Sequence, residues 1–223
     1  VVSSCSELTT LTIKGAEDID LYLTLCNKLE YVDLPDFIKN LEVASYDSCK
    51  WYQKQPAGII YLDDAAIDYK EGDISSDLLE SLEFRAGTKY IARLANGYNV
   101  TKVTIPDSVL TIGEDAFIQF GKLTEIKLPE NLRYICKGAF NKTGIKNITI
   151  PENVEFIGEN AFIYSSLESI YISDSVKIIE NNAFEYCLNL KSVKGMKNIE
   201  IIGSSAFRDC RQLETFELPE KLT

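Results

Sequence analysis

An Ala-Phe pair recurs five times, in IGEDAF (112–117), ICKGAF (135–140), IGENAF (157–162), IIENNAF (178–184) and IIGSSAF (201–207), at intervals of 22 or 23 residues. Self-similarity at such a period is the mark of a stacked-repeat architecture. In these proteins one unit cannot bury its own apolar residues, and each repeated position becomes a ladder along the stack. A compact single-core domain has no reason to write the same corner repeatedly.

Each unit carries more than the pair. Upstream lies a short alternating run: VTIP (103–106), IKLP (126–129), ITIP (148–151), IYIS (170–173) and FELP (216–219). Alternation with β-branched residues, mostly closed by Pro, predicts a short strand ending in a turn. A second apolar pair follows (Val109/Ile112, Leu132/Ile135, Val154/Ile157, Val176/Ile179, Ile199/Ile202), and a Leu or Ile precedes the strand at Leu123, Ile145, Leu167, Leu190 and Leu213. The unit is approximately L-x-x-I-x-I-P-x-x-V-x-x-I-G-x-x-A-F.

Upstream the pattern weakens. LEFRAGTKYIARLAN (82–96) overlays 103–117 without a gap, with Arg85 in the Pro slot and Asn96 in the Phe slot. LTTLTIKG (8–15) and LEYVDLPD (29–36) share only the strand half of the unit. Three segments are therefore expected. Residues 1–48 are leucine-rich turns of another subtype, and 49–81 are an irregular insertion with a β-hairpin near 58–73, entered through a loop at 51–58. Residues 82–223 are the repeat array, with one degenerate and about five regular units. The last unit, ELPEKLT, is incomplete, which predicts either truncation or further repeats in the natural protein.

The I-P-x-x-V-x-x-I-G-x-x-A-F unit, with a small residue or Cys three positions after Phe, resembles the BspA-like class of leucine-rich repeats found in surface and secreted proteins of gut and oral bacteria and some anaerobic protists. The stretch from Trp51 to Ala92 is similar to a segment that introduces the array in bacterial members. The resemblance implies a mostly β repeat solenoid, a right-handed curved superhelix with a parallel concave sheet. It also implies a non-catalytic role in adhesion or partner binding outside the cell or at its surface. It implies no particular ligand.

The columns have physical readings of their own. Phe117, Phe140, Phe162, Phe184 and Phe207 should stack as a buried aromatic spine rather than an aromatic ligand platform, with Ala before each where space is tightest. Gly113, Gly158 and Gly203 share a column with Cys136 and Glu180, so glycine there serves close packing and not positive φ. Cys5, Cys26, Cys187 and Cys210 occupy one column, three residues before a Leu, where Phe120, Thr143 and Ser165 also stand. Buried free thiols are expected. Disulfides between the stacked pairs Cys5/Cys26 and Cys187/Cys210 remain open, although parallel side chains disfavour the dihedral. Cys49, in the irregular segment, has no partner spacing.

Composition narrows function mainly by exclusion. Thirty-four acids against 23 bases give a net charge of −11, which disfavours nucleic acid as partner. With no His in the chain, Ser-His-Asp and Cys-His nucleophiles and His-ligated zinc cannot be assembled. There is no C-x-x-C pair, phosphate loop or G-x-S-x-G elbow, and no run approaches the roughly 18 apolar residues of a membrane helix. No enzyme activity, cofactor, metal or membrane insertion is therefore expected, and the chain is read as a monomer. The acids Asp63, Asp64, Asp68, Glu71 and Asp73 do not match an EF-hand loop and suit a hairpin turn instead. Three Asn-x-Thr triplets (Asn99, Asn141, Asn147) matter only in a eukaryotic secretory pathway.

The candidate partner-binding face is the outward side of the repeated strands. One row is Lys102, Glu125, Asn147, Ser169, Ser192 and Thr215, and the other is Thr104, Lys127, Thr149, Tyr171, Lys194 and Glu217. Tyr171 is its one obvious anchor. A protein or glycan ligand suits such an extended polar platform. A structural spacer within a longer surface protein, with no ligand of its own, is the alternative.

Overall fold

The computed structural model describes residues 2, 4–70, 79–94, 99–216 and 222. Chain order begins with two leucine-rich turns. Strand β1 (Thr10–Thr12) pairs in parallel with β3 (Tyr31–Asp33), and β2 (Asp18–Tyr22) with β4 (Asn40–Ala44). Ile19, Leu21, Leu29, Val32 and Leu41 alternate inward into a small core of their own. A third turn follows, because the Trp51 N–H donates to the Leu29 carbonyl at 2.9 Å. This turn corrects two expectations. Cys49 extends the cysteine column of Cys5 and Cys26, its thiol donating to the Leu23 carbonyl at 3.6 Å, and was hidden because Tyr52 and not a leucine stands three residues after it. Residues Lys50–Gln53 form a four-residue helix, α1, within the stretch expected as a loop.

Strands β5 (Gly58–Leu62) and β6 (Ala65–Lys70) form the hairpin, antiparallel and turning at Asp63-Asp64, with Asp63 at φ 51°. The expected hairpin end at 71–73, with Glu71 and Asp73, lies outside the described residues. Both faces of β5 are apolar because it is a wall between two cores. Ile60 and Leu62 join the N-terminal cluster, and Ile59 and Tyr61 pack against the array. Alternation by residue is what lets one strand serve both sides.

From residue 81 two kinds of strand alternate. The first kind comprises β7 (Ser81–Glu83), β9 (Lys102–Thr104), β11 (Glu125–Ile126), β13 (Asn147–Ile150), β15 (Ser169–Ile172) and β17 (Ser192–Gly195). Interleaved with them are β8 (Tyr90–Ile91), β10 (Thr111–Ile112), β12 (Tyr134–Ile135), β14 (Phe156–Ile157), β16 (Ile178–Ile179) and β18 (Ile201–Ile202). The result is a β-solenoid of parallel, stacked turns. The even-numbered strands make a continuous sheet with the hairpin, in the order β18-β16-β14-β12-β10-β8-β6-β5. Ala65 and Ala66 of β6 pair with Tyr90 and Ile91, so the hairpin supplies the rung before the degenerate repeat.

Between the sheets runs the spine. Successive Phe rings from Phe117 to Phe207 stack at 5.5, 5.1, 5.3 and 5.0 Å, with interplanar angles of 15° or less. Phe84 closes the near end edge-on, 6.2 Å from Phe117; Asn96, in the Phe slot there, lies outside the described residues. A second, polar ladder ties each turn to the one before: Asn131, Asn153 and Asn198 side chains donate to the carbonyls of Asp107, Glu130 and Asp174, all at 2.9 Å. Such bonds satisfy turn carbonyls that the strands leave open. No helix among the described residues is long and apolar enough to cross a membrane.

The N-terminal turns dock on the outward side of the even-numbered sheet. The Leu41 N–H, on the open edge of β4, donates to the Tyr90 hydroxyl at 3.0 Å, and Thr111 Oγ1 donates to the Ile38 carbonyl at 2.8 Å. Phe37 meets Tyr134 at 5.3 Å. Tyr90 reaches Leu41 past Gly113, where a Cβ would lie 2.2 Å from the Tyr90 hydroxyl. Tyr90→Phe should therefore leave a buried N–H without acceptor and cost about 1–3 kcal/mol in urea unfolding. An unchanged midpoint would show that water replaces the phenol.

Candidate functional site

Strand alternation places the candidate residues as the repeat predicts. Val103, Ile148, Ile150, Ile170, Ile172 and Val193 are buried, and the residues between them face outward. Lys102 pairs in register with Glu125, Asn147 with Ser169 and Ser169 in turn with Ser192, and Thr149 with Tyr171 and Tyr171 in turn with Lys194; Thr215 bridges to Ser192. Lys102, Thr104, Glu125, Lys127, Asn147, Thr149, Tyr171, Lys194 and Thr215 are exposed, whereas Ser169 and Ser192 are half-buried. Glu217 lies outside the described residues.

The face is not one sheet, which the repeat pattern did not foretell. β7, β9 and β11 pair with one another, as do β13, β15 and β17, but β11 and β13 do not. The break falls between turns whose inward residues, Ile126 and Ile148, are 22 residues apart, the same interval that Ile148 and Ile170 keep in paired strands, so repeat length does not mark it. Just before it the two turns are pressed together, since a Cβ on Gly144 would lie 2.4 Å from the Gly121 carbonyl oxygen.

A groove of about 650 Å³ opens over the break. Seven of the twelve candidates line it: Lys127, Asn147, Thr149, Ser169, Tyr171, Ser192 and Lys194. Lys102, Thr104 and Glu125 line a shallower neighbouring depression, and Thr215 lines neither. Three rim residues escaped the row argument, Glu130, Glu152 and Asn153, which follow the strand-closing prolines. Their signal was present as the repeated P-E-N triplets at 129–131 and 151–153.

Charges on the face are largely matched. Lys102 lies 3.7 Å from Glu125 and Lys127 3.6 Å from Glu130, all well exposed and therefore worth little in stability. Lys194 has no acidic partner among the described residues. The Ser169 hydroxyl donates to Asn147 Oδ1 at 2.6 Å, which leaves the Asn147 amide hydrogens facing solvent. The Asn153 amide is committed to Glu130 and keeps its oxygen free.

Other chemistry-bearing residues have structural work. None of the six cysteines is in a disulfide, so neither stacked pair is bridged. Burial pushes Cys187 up to about 11 and Cys210 up to about 12, which keeps both as unreactive thiols at neutral pH. They donate to the Phe162 and Phe184 carbonyls at 3.1 and 3.2 Å, while Thr143 donates to the Phe140 carbonyl at 3.0 Å. The thiols of Cys187 and Cys210 thus serve as buried hydrogen-bond donors, as the Thr143 hydroxyl does, while Phe120 fills the same column by packing alone. Among the acids, Asp63 accepts from the Leu34 N–H and Asp68 from the Tyr46 hydroxyl, and no metal-binding group exists among the described residues.

Residues 91–214, more than half of the chain, match the family described as BspA type leucine rich repeat region, in six copies. No curated protein matches. Among solved structures, a leucine-rich repeat protein from Eubacterium ventriosum ATCC 27560 is 25% identical, with a TM-score of 0.52 over 65% of this chain and 39% of that one. The pneumococcal vaccine antigen PcpA is 17% identical, with a TM-score of 0.55 over 97% of this chain and 65% of that one, a likeness of fold alone. This chain spans less than two thirds of either protein.

Proposed function

Because the chain belongs to the BspA-type leucine-rich repeat family, we propose that it is a non-catalytic binding module of a cell-surface or secreted protein, presenting its odd-numbered strands to a protein or glycan partner. The observation that carries this reading is the groove over the sheet break. It gathers polar side chains from several successive turns around the exposed ring of Tyr171. Stacked turns make extended platforms, and a partly exposed Tyr among polar neighbours is a common anchor of recognition surfaces. A spacer segment, the alternative, has no need of such a depression.

The test is a screen of the immobilised chain against matrix proteins and glycans, with the combined variant Lys127→Ala, Tyr171→Ala, Lys194→Ala beside it. Binding should fall at least tenfold in the variant, while its melting temperature stays close to that of the parent chain. Undiminished binding would move the site elsewhere, and no binding by either protein would favour the spacer.

A further inference from the structure

We infer that the groove holds a short oligosaccharide ending in a carboxylate-bearing sugar, laid along the stack of turns with its carboxylate at Lys194. The inference rests on the reading of this face as a binding surface and narrows it to one ligand class.

The break first suggests a different ligand. Unpaired edges of β11 and β13 face each other, and an inserted peptide strand could pair with both. Spacing excludes this. An intercalated strand needs its neighbours roughly 9–10 Å apart, twice the ordinary interval. The same two turns remain paired through β12 and β14, and their spine rings Phe140 and Phe162 stack at 5.1 Å. A ligand must therefore lie on the groove and not within the sheet.

What lies on it meets hydrogen-bonding side chains set among apolar surface. Asn147 offers oriented amide donors, Asn153 an acceptor, and Thr149 and Ser192 hydroxyls that serve as either. Among the described residues Tyr171, 39% exposed, is the only large apolar side chain standing out of this face, enough for the C–H face of one pyranose ring and too little for an apolar peptide motif. A ligand rich in hydroxyls engages these polar groups together with the apolar surface between them, whereas a hydrophobic peptide leaves the polar groups unpaired.

Charge places the acid. In a chain of net charge −11, Lys194 stands beside Tyr171 in the strand register with no carboxylate partner among the described residues, whereas Lys127 at the other end is matched by Glu130. Exposed Glu152 on the rim disfavours a densely charged polyanion. One terminal carboxylate on otherwise neutral sugars satisfies both conditions. From Lys194 to Lys127 is three turns, about 14 Å, the length of a trisaccharide.

The experiment titrates the chain with 3′-sialyllactose and with lactose, followed by amide chemical shifts and calorimetry. Sialyllactose should bind saturably, with shifts centred on Asn147, Thr149, Tyr171 and Lys194, and at least tenfold more tightly than lactose. Lys194→Gln should bring it down to the lactose level, while Lys177→Gln, an exposed lysine outside the groove, should change nothing. Equal affinity for the two sugars, or sialyllactose binding indifferent to Lys194→Gln, overturns the inference. If no sugar binds but a matrix protein does so through Tyr171, the sugar assignment falls while the binding face stands. If neither sugar nor protein binds, both fall.

Discussion

Replacing Phe162 by Ala is expected to destabilise the protein by about 3–5 kcal/mol, the usual cost of truncating a fully buried aromatic. Phe162 is wholly buried and stacks on both sides, 5.1 Å from Phe140 and 5.3 Å from Phe184. Its loss removes transfer free energy, opens a cavity and interrupts two ring contacts together. In a stack where each turn contacts only its neighbours, an interior gap also weakens the coupling of the two halves. Phe207→Ala provides the comparison, because Phe207 is only half-buried and stacks on Phe184 alone within the repeated column. Urea unfolding should show a large fall in midpoint for Phe162→Ala and a smaller one for Phe207→Ala. Equal losses would mean that the spine is a row of independent side chains and not a continuous element.

The spine was legible because burial constrains residue type, and the same constraint explains what else could be seen. Gly113, Gly158 and Gly203 avoid positive φ and are held by close approach, as their shared column with Cys136 and Glu180 suggested; a Cβ at Gly158 would stand 2.7 Å from the Cys136 carbonyl carbon. The positions that do adopt positive φ lie elsewhere. Asp115, Gly138, Asn160, Asn182 and Ser205 form one such column, with φ between 53° and 62°. Its Asp, Gly, Asn and Ser residues carried a signal that the row argument passed over. Gln119, Lys142, Tyr164, Tyr186 and Asp209 form another, with φ between 57° and 65°. There the turn geometry is imposed by the stack, and no common residue type betrays it.

Legibility declines further where contacts span long stretches of chain. The Cys136 thiol donates to the Lys39 carbonyl across 97 residues, and Thr111 to Ile38 across 73, contacts with no local pattern. The groove is an intermediate case. Its residues were named from the alternation of the strands, but its existence depends on a break in strand pairing that no interval in the sequence marks. Lys194 became conspicuous only once the neighbouring lysines were seen to have partners. A periodic sequence announces what repeats, while recognition draws on the departures from the period.

Gly195→Ala is expected to be among the most damaging single-methyl additions, at roughly 2–5 kcal/mol from overpacking combined with backbone strain. Gly195 closes β17 at φ 90°, a conformation that side-chain-bearing residues rarely adopt, and its Cβ would stand 1.8 Å from the Ile172 carbonyl oxygen. That oxygen accepts the Met196 N–H at 3.1 Å, so relieving the clash moves a ladder hydrogen bond as well as a side chain. The obstacle is backbone on the neighbouring strand, which cannot rotate away as a flexible side chain could. Gly121→Ala is the matched control. Nothing comes nearer than 4.0 Å to its Cβ and its φ is not positive, so the loss of unfolded-state freedom should leave it neutral or slightly stabilised. Because β17 carries Ser192 and Lys194, Gly195→Ala should also weaken whatever the groove binds, whereas Gly121→Ala should not. Thermal melts and binding measured on the two variants separate the cases. Parent-like stability of Gly195→Ala would show that the β15–β17 ladder yields, and with it the rigidity on which the groove's preorganisation depends.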